Sequence, residues 1–119
     1  MFNLEYLKND FSENEYNNFV KDINENFPKY KKALRDYYEN NNEKFPFDDY
    51  PFINDILLVI FLNEYEYKKE LVLKVLDNMF LSIDNAMHKV LVLNFLCGFG
   101  IINKEEMNER NPYNMLINK

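Results

Sequence analysis

The residues whose types could do chemistry are few: two carboxylate pairs, Asp48 with Asp49 and Glu105 with Glu106, a lone histidine, His88, and a lone cysteine, Cys97. Paired carboxylates can run acid and base steps or hold hard cations. Neighbours on a helix diverge by about 100°, however, and a calcium loop needs oxygen ligands at alternate positions around a glycine, which neither pair has. His88 lies four residues after Asp84, so a helix would set imidazole and carboxylate on adjoining turns, as for an oriented general base. Nucleophiles to accompany it are scarce: the serines are Ser12 and Ser82, threonine is absent, and Cys97 sits within an apolar run. His88 is therefore expected to be a boundary residue with local pairing, and Cys97 a small packing residue. Gly98 and Gly100 follow an apolar segment, whereas phosphate-cradling glycines precede a helix, so no nucleotide site is indicated. With one cysteine there can be no internal disulfide and no cysteine-based zinc site. The expectation is a chain that is not an enzyme and that uses neither metal nor cofactor.

Charge is the stronger signal. Between Asp36 and Tyr67 lie eight carboxylates (Asp36, Glu39, Glu43, Asp48, Asp49, Asp55, Glu64, Glu66) and one cation, Lys44, a local balance of −7. The remaining 13 bases and 12 acids leave +1, so the whole formal charge of −6 comes from that window. Aromatic residues are threaded through it, including Tyr37, Tyr38, Phe45, Phe47, Tyr50 and Phe52. A run of charge is commonly just a solvated face. Rigid amphipathic rings among acids, though, suit docking onto a basic partner by steering at long range and anchoring at contact. Glu39, Glu43, Asp48, Asp49 and Asp55 are the expected source of charge complementarity, with Phe47 and Tyr50 as anchors. Direct binding to nucleic acid or to an anionic membrane is disfavoured, because both repel this sign of charge. The basic cluster Lys29, Lys31, Lys32 and Arg35 has acids beside it and is expected to solvate its helix and pair with the acidic loop.

These residues must be positioned by helices. Two glycines and four prolines give little of the turn chemistry that closely spaced hairpins need, and the apolar residues recur at helical spacing. The fold class read from this pattern is all-α, a compact single-domain bundle of five to six helices over residues 1–119. Ser12 and Glu15 form a capping pattern that opens a helix over 13–26 with Tyr16, Phe19, Val20 and Ile23 on one stripe. Pro28 suggests a restart, with a second helix over 28–40 burying Tyr30, Leu34, Tyr37 and, beside it, Tyr38. Residues 40–50 should be the longest loop. Phe52 to Leu62 is continuously apolar and should be central, as a helix or as a strand. Helices follow over 68–81 and from about 84 to 97, the last apolar nearly all round and so expected to be the most buried element, ended by Gly98 and Gly100 in left-handed conformations. Asn103 and Glu106 repeat the capping pattern, and Pro112 opens a final turn containing Tyr113, Met115, Leu116 and Ile117.

The first 20 residues carry Glu5, Asp10, Glu13 and Glu15 with no long apolar run, unlike a secretory signal, and Val90 to Cys97 is far shorter than the roughly 20 residues of a membrane span. A soluble, cytoplasmic protein is expected. In size, helical pattern, lack of catalytic chemistry and the acid-aromatic stretch from Asp36 to Tyr67, the chain resembles the small acidic immunity proteins of bacterial polymorphic-toxin systems, including those of contact-dependent growth inhibition. The stretch from Phe52 through Asn111-Pro112-Tyr113-Asn114 to Ile117 also looks like bacterial helical domains that accompany such genes. The resemblance implies an inhibitor that caps the basic cleft of a nuclease-like toxin. Two alternatives stand beside it: a phage-encoded anti-defence inhibitor that uses the same acids to mimic nucleic acid to a nucleic-acid-binding effector, and a helical subunit or homodimer in which Phe52 to Leu62 meets another chain.

Overall fold

Residues 2–113 are described by the computed structural model, and every regular element among them is helical. A 3-10 helix, Glu5–Asp10, precedes α1 (Glu13–Asn40), α2 (Ile53–Glu64), α3 (Lys69–Phe80), α4 (Ala86–Gly98) and α5 (Lys104–Arg110). The all-α expectation holds, and the strand alternative for the central apolar run gives way to α2. Contacts divide the chain into two compact units, Met1–Ile53 and Asn54–Lys119.

In the first unit, the Ser12 side chain accepts the Glu15 backbone N–H at 3.2 Å while the Glu15 carboxylate accepts the Ser12 N–H at 3.0 Å, a complete capping box. Phe11, just before the cap, packs on Tyr16 one turn in, with ring centroids 6.3 Å apart, and stacks on Phe19 at 4.9 Å. This is a hydrophobic staple that fixes the angle at which the chain enters α1. Leu4 and Leu7 are buried, and Phe2 meets Phe27 edge-on at 5.1 Å, so the N-terminal segment lies along the same helix.

The expected break at Pro28 does not occur: α1 runs through it as one helix of 28 residues, about 42 Å long. The buried stripe Phe19, Ile23, Phe27 continues at helical spacing into the half-buried Tyr30, Leu34 and Tyr38, and a restart would swing that second set off the stripe. An internal proline costs about 3 kcal/mol, comparable to what one or two buried large side chains return. Asn24, whose carbonyl loses its helical donor, is exposed, so water can satisfy it. Tyr37 is also corrected. It lies 100° from Tyr38 around the helix and is 64% exposed.

Within the second unit, α2 is the central element: seven consecutive residues, Ile56 to Leu62, are buried. This overturns the expectation that α4 would be the most buried, since α4 buries only Val92, Leu93 and Leu96 and leaves Met87 and Leu91 exposed. A unit of this size cannot enclose two helices that are apolar on every side. It also removes Phe52 to Leu62 as a surface for another chain. Lys69 at the start of α3 donates to the Ile101 carbonyl and pairs with Glu106 at 3.1 Å, and Arg110 grips Asp77 at 2.7 and 3.2 Å, so α5 is tied to both ends of α3. Asn103 and Glu106 complete the second capping box as expected.

Three helices end in the same way. After α1, α2 and α4 the chain enters a left-handed conformation at Asn42 (φ 58°), Glu66 (φ 61°) and Gly100 (φ 76°). In each case the following N–H reaches back to a carbonyl inside the helix: Glu43 to Tyr38 at 2.8 Å, Tyr67 to Leu62 at 3.0 Å, and Ile101 to Leu96 at 3.0 Å. These are Schellman caps, and only the last uses glycine. Gly98 is helical rather than left-handed, so the role expected of both glycines belongs to Gly100 alone. The expected turn around Met115, Leu116 and Ile117 lies outside the described residues. No helix among those described is long and apolar enough to cross a membrane.

Candidate functional site

The first unit carries the acid-aromatic residues from Asp36 to Phe52 at the C-terminal end of α1 and in the loop that follows. The loop is a chain of tight turns, with Asp48 N–H on the Phe45 carbonyl at 3.0 Å, Tyr50 on Phe47 at 3.0 Å and Ile53 on Tyr50 at 3.2 Å. Its rings hold it down. Phe45 meets Tyr38 edge-on at 5.2 Å, and Phe47, Tyr50 and Phe52 form a cluster with centroids 5.2 to 6.1 Å apart. Phe47 is only 5% exposed, which removes it as a contact anchor: its ring is what seats the loop. Tyr50 is half-buried in the same cluster, stacked on Phe52. The exposed ring is Tyr37, set edge-on to Tyr38 at 5.8 Å. Its phase relative to Tyr38 on the α1 stripe was the available sequence signal.

The acids separate into two groups. Asp36 is paired with Lys32 at 2.9 Å, Asp48 with Arg35 at 2.6 Å and Asp49 with Lys44 at 2.8 Å. The basic cluster thus pairs with the acidic loop as expected, through Arg35, and the sequence balance of −7 overstates the field because Lys32 and Arg35 stand against it in space. Asp48 has its side chain largely covered and is a fastener rather than a free charge. Asp49 is 82% exposed, and its pair with Lys44 is a solvent-screened one that another cation can replace. Asp49 holds the Lys44 ammonium above its ordinary pKa, as Asp36 does for Lys32.

Glu39 and Glu43 are exposed and form no ion pair among the described residues. Both stand where the last carbonyls of α1 place the negative end of the helix dipole, and no basic residue occupies the last turn to offset it. They line a cleft of about 380 Å³ together with Arg35, Tyr38, Asn42, Lys44, Phe45 and Asp48. Burial, reinforced by the Glu43 charge, raises the Tyr38 phenol above its usual pKa, so it stays a neutral hydrogen-bonding wall. A second groove, of about 340 Å³, is lined by Glu39 with Pro28, Lys31, Lys32, Arg35 and Asp36. Glu39 borders both.

Asp55 belongs to the second unit, in the first turn of α2, where partial burial raises its pKa. It is a carboxylate that pays for being charged and contributes less field than a solvated one. Asp84 precedes the Asn85 cap of α4, so it does not lie a helical turn below His88, whose N–H donates to the Asn85 side chain at 3.1 Å. Glu105 is exposed, while Glu106 is committed to the cap and to Lys69. Among the described residues no three His, Cys, Asp or Glu side chains gather as a metal site would require. Comparison with models of protein families, with curated proteins and with solved structures finds no match to this chain.

Proposed function

We propose that the chain is a protein-binding inhibitor, an immunity protein that neutralises a basic, nuclease-like toxin through the acidic end of α1. The supporting observation is that Glu39 and Glu43 form no ion pair among the described residues, while the Arg35 and Lys44 of the same cleft are engaged by Asp48 and Asp49, and that both line it at the negative end of a 28-residue helix. An arginine or lysine from the partner entering there would meet two carboxylates and the helix carbonyls, with Asp49 able to exchange Lys44 for it. Exposed Tyr37 beside Tyr38 offers a ring for contact at the edge. Asp48 and Phe47 support the surface from beneath.

A mimic of nucleic acid would need unpaired carboxylates in a phosphate-like row, and the internal pairing of Asp36, Asp48 and Asp49 breaks such a row. Affinity capture from the source cells, followed by binding measurements with the captured protein over a range of salt, tests the proposal. The expected partner is basic, its association rate falls with salt, and Glu39→Lys with Glu43→Lys slows association at least about tenfold. A partner bound equally well by the double variant would sink the assignment.

A further inference from the structure

In the second unit α4 is apolar on two sides, of which only one is used internally. Val92, Leu93 and Leu96 are buried, while Met87, Leu91 and Phe99 are 51%, 41% and 50% exposed. These three, with half-buried Phe95 between them, fall at intervals of four and form a continuous i, i+4 ridge over about 18 Å. The rings of Phe95 and Phe99 lie 4.7 Å apart along it.

We infer that this ridge is the contact between two copies of the chain, with α4 packed against α4 of the partner subunit in antiparallel fashion about a two-fold axis near Leu93. The first argument is charge. An isologous contact sets a patch against its own copy, which a protein of formal charge −6 can do only where acids are missing. No acidic residue occurs between Asp84 and Glu105, and Lys89, the formal charge on α4, is drawn over the Phe80 ring at 6.0 Å. A basic partner would gain nothing from such a surface, so this contact is distinct from the acidic end of α1.

The second argument is fit. The ridge is symmetric in position about residue 93, so the two-fold brings Met87 opposite Phe99 and Leu91 opposite Phe95 of the partner subunit. Each large ring then meets a flexible or smaller side chain, and thioether to aromatic contacts are favourable. Two i, i+4 ridges can interdigitate at the commonest helix crossing angle, about −50°, and antiparallel helix dipoles attract.

Sedimentation velocity over rising concentration tests this with the full chain, and the expected result is a species of twice the 14.5 kDa mass. Leu91→Glu should weaken self-association at least about tenfold, since it sets an unpaired carboxylate against Phe95 of the partner subunit on both sides of the axis. Met87→Lys, at a half-exposed site in the first turn, should do the same if Leu91→Glu fails to keep the helical circular dichroism of the parent. A monomer at all concentrations overturns the inference, as does a dimer that both variants leave intact or an open-ended assembly.

Discussion

The Arg35 guanidinium meets the Asp48 carboxylate at 2.6 Å across thirteen residues of sequence, joining the last quarter of α1 to the loop that follows it. Both side chains are partly covered, at 38% and 25% exposure, so the pair lies between a screened surface contact and a buried one. Arg35→Met should therefore destabilise the first unit by roughly 1–2 kcal/mol, less than a fully buried pair would lose. Urea unfolding of Arg35→Met, Asp48→Asn and the double variant gives the coupling directly. A coupling near zero would mean that the aromatic cluster alone seats the loop.

A second consequence concerns Pro28, exposed in mid-helix. Restoring the N–H with Pro28→Ala should stabilise the chain by about 1–3 kcal/mol, the upper limit being the full interior-proline penalty and the lower allowing for the freer unfolded chain. Thermal unfolding checks the sign, and a lower melting temperature would mean that the proline shapes α1 in a way the rest of the unit needs.

How far the sequence carried the fold is visible at that residue. Capping boxes at Ser12 and Asn103 and the apolar periodicities of α2 and α3 were legible because they are local: every group involved lies within a few residues. Pro28 misleads because its local preference is outweighed by a stripe that runs from Phe19 to Tyr38 on both sides of it. In the candidate site, composition identified the acids but could not say which had cations, since the answer lay one helix turn away at Lys32 and thirteen residues away at Arg35. Likewise Phe47 and Tyr37 have the same aromatic character, and only their phase relative to the core separates a ring that is 5% exposed from one that is 64% exposed.

The Schellman caps make a graded series. Glu66 occupies a left-handed conformation that costs an L-residue with a Cβ roughly 1 kcal/mol, whereas Gly100 occupies the equivalent position without that penalty. Glu66→Gly should gain up to about 1 kcal/mol, tempered by the entropy glycine adds to the unfolded state, and Gly100→Ala should lose about 1 kcal/mol. A Cβ at Gly100 meets nothing within 4 Å, so the loss is purely conformational. Equal effects of one sign in denaturant unfolding would contradict the common geometry.

Acid titration separates two carboxylates of the second unit by sign. Burial alone would raise Glu106, but the Asn103 N–H, the Lys69 ammonium and the Arg110 charge together hold it below its ordinary pKa. Its stabilising contribution is present above the unfolded value, about 4.3, and is lost as pH falls through the lower folded value. Asp55, raised by burial, does the reverse: its favourable contribution is complete below about 3.9 and disappears as pH rises through its folded value. Glu106→Gln should therefore lower the melting temperature at pH 7 with little effect in acid, and Asp55→Asn should raise it at pH 7 and converge on the parent near pH 3. Melting curves of both variants from pH 3 to 7 decide it: parallel profiles would mean that neither carboxylate changes its proton affinity on folding, and that the Lys69 and Arg110 contacts position α5 without tuning its charge.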